Sequence, residues 1–283
     1  MGHSRAEDTT VAHLESATLP THGKTYTVVS HKSVIANSKK KLKDLGFTIT
    51  RELYRSNKDA NVAQGIYHII HDTAVNDPEL GMMFAWTNSY DKSTRFQCGI
   101  GAHVFVCSNG LIHGDLSTYG RKHTGNADAD IDSHIAAQIG LANHKFKELV
   151  THKELMKTLN LSTTKQAELL GRLFVEEKLL DSQQLSIVKS EMEKSSYNYG
   201  VDPDTAWMFY NNVTHALKKT HPRRWMDNQG KFHKFMESEI ISAHVKFPQD
   251  SPPVDELLLE DVDIDSEIKK RQMTMDNIDG FSL

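Results

Sequence analysis

The chain has 283 residues, of which 38% are apolar and 25% charged, and it carries a formal net charge of −4. These values fit an ordinary soluble protein with enough apolar material for one large domain or two small ones. No apolar run approaches the length of a membrane span, and the N-terminus MGHSRAEDTT lacks the basic-then-apolar profile of a signal peptide, so no membrane contact is expected.

Residues 1 to about 24 show no periodicity and are expected to form a mobile arm. Thr25 to Val29 reads as a short strand. Ser33 to Leu45 reads as a helix, with Val34, Ile35, Leu42 and Leu45 on one side, lysines 39, 40, 41 and 43 on the rest, and Gly46 as its C-cap. Phe47 to Arg55 is a second strand, followed by a polar loop from Ser56 to Val62. Gly65 to Val75 and Leu80 to Tyr90 form a hairpin around Asn76-Asp77-Pro78-Glu79.

Asp91-Lys92-Ser93 turns the chain into a long strand. Phe96, Cys98, Ile100, Ala102, Val104 and Val106 recur at period two, which predicts one core-facing side. Ser108-Asn109-Gly110 then ends the strand in a turn. Cys98 and Cys107 fall on opposite faces of this strand and cannot pair, which points to a reducing, cytoplasmic setting.

The second half is helical. Ile131, Ile135, Ile139, Ala142, Phe146 and Leu149 make one stripe on a helix from Asp128 to about Thr158. Thr163-x-x-Gln166 and Asp181-x-x-Gln184 both fit capping boxes. Asp202-Pro203 supplies an N-cap and an N1 proline for the next helix, in which Trp207 is expected to pack in the core. Prolines 248, 252 and 253 mark a boundary. The order predicts an α+β fold: an antiparallel or mixed sheet of about five strands with helices on one face, then a helical C-terminal half and an acidic tail. The expected domains are the arm 1–24, a sheet domain 25–127, a helical region 128–248 packed on the sheet, and the tail 249–283.

Two runs carry a resemblance: Val-Cys-Ser-Asn-Gly-Leu at 106–111 and His-Thr-Gly-Asn at 123–126. With the hairpin before them and the Asn-x-x-Thr step of the helix from Trp207 to Thr214, they resemble a family of phage/plasmid-like proteins, a domain of unknown function found on phages and plasmids. The resemblance spans roughly residues 25 to 235 and implies a mobile-element origin, hence a bacterial cytoplasm, and no chemistry. More loosely, a short helix, a Leu-Gly-Phe step and a strand meander are similar to phage single-strand annealing proteins, at the level of fold only.

Candidate chemistry is sparse. His68 and His71 would lie on opposite faces of a strand, which argues against joint ligation. His113, Asp115 and His123 flank one loop and are the better metal set, but no His-x-His, His-Glu-x-x-His or Cys-x-x-Cys is present. Cys107 lies near His103 and His123 in sequence, yet a small buried cysteine is the commoner case. The glycines at 99, 101 and 110 do not form a phosphate loop. No catalytic residue, metal or cofactor is expected.

Basic and aromatic residues are the stronger signal. Arg51, Arg55 and Lys58 close one strand. Lys92 and Arg95 sit beside Trp86 and Tyr90. Arg121, Lys122 and His123 share a loop, and Arg223, Arg224 and Trp225 follow Pro222. Cations beside aromatic faces suit single strands, in which phosphates pair and bases stack. From Asp250 to Leu283 there are ten acidic and three basic residues, a net of −7, so the body carries +3. The tail resembles that of single-strand-binding proteins, with acids before Phe281; Leu257, Leu258, Leu259 and Phe281 are its candidate partner-binding residues. The expectation is a phage- or plasmid-borne, non-enzymatic protein that binds single-stranded DNA or RNA, as a homo-oligomer, with a host or phage protein at its tail. Two alternatives stand beside it: a protein–protein inhibitor of a host anti-phage defence system, and a metal-dependent enzyme of nucleic-acid metabolism.

Overall fold

The computed structural model describes residues 7–21, 28–72, 76–91, 94, 96–106, 109–112 and 127–241. Antiparallel pairing in strict sequence order organises them: β1 (Glu7–Asp8), β2 (Thr48–Ser56), β3 (Val62–Ile70), β4 (Leu80–Ser89), β5 (Gln97–Val104) and β6 (Gly110–Ile112). β2 to β6 are a five-stranded meander, to which β1 adds two residues at the β2 edge. The α+β class is the one read from the sequence, and of the antiparallel and mixed sheets expected there the sheet is antiparallel.

Consecutive strand residues point to opposite faces, and in β4 and β5 nearly every residue of either parity is buried. The reason is that helices cover both faces, where the sequence led us to expect one. On the first face, α2 (His31–Asp44) packs through His31, whose ring stacks on Tyr90 and bonds Asn88. Lys39 of α2 also pairs with Glu52 of β2 at 2.7 Å. On the second face, α8 (Pro222–Met236) packs through Met226, whose sulfur accepts from Thr87 Oγ1, and Trp225, which joins Met83 and Ala85. Small residues on that face admit the helix: a Cβ on Gly110 would sit 2.7 Å from the Trp225 ring.

Val104 is 2% exposed on the first face, as its alternation requires, but Val106 is 52% exposed. The strand ends earlier than expected because the Val104 N–H bonds Asn109 O and turns the chain into β6. Residues 7–16 of the expected arm pack on the fold: beyond β1, helix α1 (Val11–Ser16) buries Leu14 to 1% exposure. The strand expected at Thr25–Val29 falls partly outside the described residues; Val28 and Val29 are buried and belong to no strand.

The long helix from 128 is two, α3 (Ala127–Gly140) and α4 (Ala142–Thr158), and its stripe from Ile131 to Leu149 is buried as expected. α5 (Thr163–Val175) is capped one residue earlier than the expected box, by Ser162. α6 (Ser182–Glu193) has the full Asp181–Gln184 box. α7 (Ala206–Leu217) starts after Asp202-Pro203, with Thr205 as its cap, because a Thr205 N–H bond to Asp202 O makes 202–205 a turn. Trp207 is 1% exposed in the core. The chain divides after His244, and helices and sheet up to that point form one unit. The tail lies outside the described residues, and among the described residues no helix is long and apolar enough to cross a membrane.

Gly65 illustrates how tightly the first face is filled. The Trp86 indole lies over it, and a Cβ there would stand 2.3 Å from the ring. The indole N–H is also committed to Tyr67 Oη at 3.0 Å. Gly65→Val is therefore expected to cost about 1–3 kcal/mol, the usual penalty of overpacking, read as a lower urea midpoint with an unchanged slope.

Candidate nucleic-acid interface

The sheet's second face offers a second set of groups at the hairpin end of β3 and β4. Arg51 of β2 pairs in register with His68 of β3, and His103 of β5 pairs with Gly81 of β4. Gly81 has no side chain, so the His103 ring lies across β4; a Cβ on Gly81 would stand 2.3 Å from it. The ring then stacks on His68, with centroids 3.6 Å apart and planes 16° from parallel. Phe105 closes edge-on against His103 at 5.2 Å and is 54% exposed. Ile70, on the same face by alternation, is 55% exposed.

Both imidazoles are held uncharged. Burial lowers the His68 pKa, and the Arg51 cation adds to the effect. Burial, then His68 and Arg51, bring His103 down to about 3 against an opposing backbone bond at Gly81. Both imidazoles are 7% exposed, so what the face presents is the Phe105 ring propped on a neutral, buried pair, beside the exposed Arg51 guanidinium. Among the described residues Arg51 has no carboxylate partner.

The residues singled out in the sequence divide sharply. Arg51 is exposed on this face, and Lys58 is exposed in the β2–β3 turn. Arg55 is half-buried and donates to Lys218 O and Thr220 O, at 3.3 and 3.4 Å, so it braces the turn before α8. Arg223 is half-buried and Arg224 exposed in the first turn of α8.

The three expected stacking residues are corrected: Trp86, Tyr90 and Trp225 are 0%, 5% and 4% exposed. Tyr90 packs on His31 of α2, Trp225 of α8 packs on Met83 and Ala85, and Trp86 lies over Gly65 of β3, so none can receive a base. Lys92, Arg95, Arg121, Lys122 and His123 lie outside the described residues, as do His113, Asp115, Cys107, Leu257, Leu258, Leu259 and Phe281. Cys98 is fully buried, and burial pushes its thiol up to about 12. What sequence reasoning missed at this site are His68, His103 and Phe105; the one signal available was a glycine opposite a histidine in the β4–β5 pairing.

Two of the motifs behind the family resemblance meet in space, while the His-Thr-Gly-Asn run at 123–126 lies outside the described residues. Asn109, from the 106–111 run, donates through Nδ2 to Asn211 O at 3.0 Å. Asn211 belongs to the Asn-x-x-Thr step of α7, and Thr214 bonds back to Tyr210 O. This buried junction ties the start of β6 to α7, an architectural role. No curated protein and no solved structure matches the chain. A family model does: over residues 18–237, most of the described fold, the chain belongs to the family described as a domain of unknown function (DUF932).

Proposed function

We propose that this protein binds single-stranded nucleic acid on the second face of its sheet, around Phe105, His103, His68 and Arg51. One observation carries the reading: an exposed phenylalanine packed on a stacked imidazole pair, beside an arginine with no carboxylate partner among the described residues. Bases of a single strand stack on an exposed aromatic ring such as Phe105 irrespective of sequence, and guanidinium groups meet the phosphates. Arg223 and Arg224, at the start of the helix covering the same face, extend the cationic surface. A phage or plasmid origin, an annealing role and assembly into an oligomer belong to the same reading. The test is fluorescence anisotropy with a labelled single-stranded oligonucleotide and the matching duplex at low salt. Saturable binding that favours the single strand supports it; no binding at micromolar protein overturns it. In that case Ile70, Phe105 and Val106 become contacts for a protein partner, as an inhibitor of a host defence protein would use.

A further inference from the structure

The Phe105 ring stands at one end of the sheet, and that end continues past β3 to α2. Across it, Phe105 follows β5, Gly81 lies at the start of β4, Ile70 closes β3 and Thr48 opens β2. The link from α2 to β2 packs against the same end. A Cβ on Gly46 would stand 2.9 Å from the His71 ring, and the Phe47 and His71 rings have centroids 4.7 Å apart. The last turn of α2, with Lys41 and Lys43, is thereby brought to the β2 side of this end. Phe105 lies three strand spacings away, roughly 14 Å. Of the seven large apolar side chains exposed among the described residues, four gather here: Leu45, Ile70, Phe105 and Val106. Exposed apolar groups that gather rather than scatter mark a contact surface.

Resting on the nucleic-acid reading above, we infer that the bound single strand crosses this end of the sheet, from Phe105 over Ile70 to α2, where Lys40, Lys41 and Lys43 take its phosphates. A strand stacked on Phe105 must leave the ring in some direction. Toward the middle of the second face it meets α8, whose Trp225 and Met226 already fill the surface over Met83, Ala85 and Thr87. Toward α2 it meets open apolar surface and then cations, which suit bases and backbone in turn. Lys41 and Lys43 have no carboxylate partner among the described residues. Lys40 stands 3.8 Å from Asp44 with both side chains in solvent, a pair worth little. Lys39 is committed to Glu52 and is left out of the track. Asp72, exposed beside His71, opposes a phosphate here, whereas Asp77 and Glu79 of the same connection are held by Lys153 and Lys157. Lysines in a last turn also offset the negative end of the helix; what sets these apart is the exposed apolar strip that leads to them.

Anisotropy titrations of the full chain with a labelled single-stranded oligonucleotide of about 12 nucleotides, over a range of salt concentrations, test the path. Changing Lys40, Lys41 and Lys43 together to Gln should weaken binding and reduce the log–log salt slope by about 2, at about 0.7 for each phosphate contact. Lys43→Gln alone, at an exposed position, should reduce it by about 0.7. Lys32→Gln removes an exposed lysine of the same helix, about 12 Å before Lys40, and should leave affinity and slope unchanged. Asp72→Asn should tighten binding. A triple variant with wild-type affinity and slope, while Phe105→Ala still weakens binding, overturns the path and leaves the ring site standing. Lys32→Gln acting as strongly as Lys43→Gln makes the lysines a general field and also overturns it. No binding by the wild type overturns both the path and the reading beneath it.

Discussion

Replacing Lys153 with methionine is expected to cost about 3–5 kcal/mol of stability at neutral pH, the range found when one partner of a buried ion pair is removed. The Lys153 side chain is 1% exposed on α4, and its ammonium contacts Asp77, Glu79 and Glu154 at 2.7, 3.0 and 2.7 Å. Asp77 and Glu79 belong to the β3–β4 connection, so this one side chain fastens the hairpin to the helical half. Met keeps the stem and removes the charge, leaving the 5%-exposed Asp77 carboxylate without its counter-ion. Urea unfolding measures the effect, and an unchanged midpoint would refute the clamp. Adding Asp77→Asn should recover part of the loss, because an amide oxygen can still accept from the N–H groups of Glu79 and Leu80.

The same cluster sets a pH dependence. Burial alone would raise the Asp77 carboxyl, but Lys153 and the two backbone donors together hold it below the usual range. Glu79 is lowered likewise, by Lys157 and Lys153 against burial. A carboxyl depressed in the folded state stabilises above its unfolded pKa, near 4, and that contribution is lost as pH falls through the folded value. Wild-type stability should therefore drop steeply below about pH 4. The gap between wild type and Lys153→Met should narrow over the same interval, as the orphaned carboxylates become neutral.

The second large effect concerns the ring platform and rests on the nucleic-acid reading. Phe105→Ala should weaken single-strand binding by about 1–3 kcal/mol for each base it stacks, or about 5- to 150-fold. The fold should be unaffected, because the ring is 54% exposed. Arg51→Ala should weaken binding and flatten the salt dependence by about 0.7 in log–log slope, the amount expected for one lost phosphate contact on a single strand. Gly81→Val tests the geometry beneath: its side chain would displace the His103 ring that now overlies Gly81, and binding should fall with Arg51 still in place. If Phe105→Ala binds as the wild type does while Arg223→Ala and Arg224→Ala weaken binding, the site lies at the start of α8.

Local patterns settled much of the architecture. The period-two run from Phe96 to Val104 placed a core strand in its correct register, because alternation depends only on the pleat. The Asp181–Gln184 box located the start of α6 to the residue, because capping is a contact within one turn. Gly46 at φ +83° ends α2 where its lack of a Cβ predicts.

Which surfaces are covered was decided by tertiary structure. Trp86, Tyr90 and Trp225 stand beside basic residues in sequence, yet Tyr90 is covered by His31 of α2, Trp225 belongs to the helix that covers Met83 and Ala85, and Trp86 lies over Gly65 and bonds Tyr67 of β3. An aromatic residue beside a cation reads alike whether the ring faces a helix or water, since proximity along the chain carries no information about the opposing layer. The helices on both faces were hidden for the same reason: Gly81, Ala85, Thr87, Gly99 and Gly101 in β4 and β5 look like a weakly apolar outer face until α8 is laid upon it. The stacked pair of His68 and His103 exists only because strand register brings two histidines 35 residues apart to either side of a glycine. Pairing register is a property of the folded sheet, and no local periodicity encodes which residues meet across it.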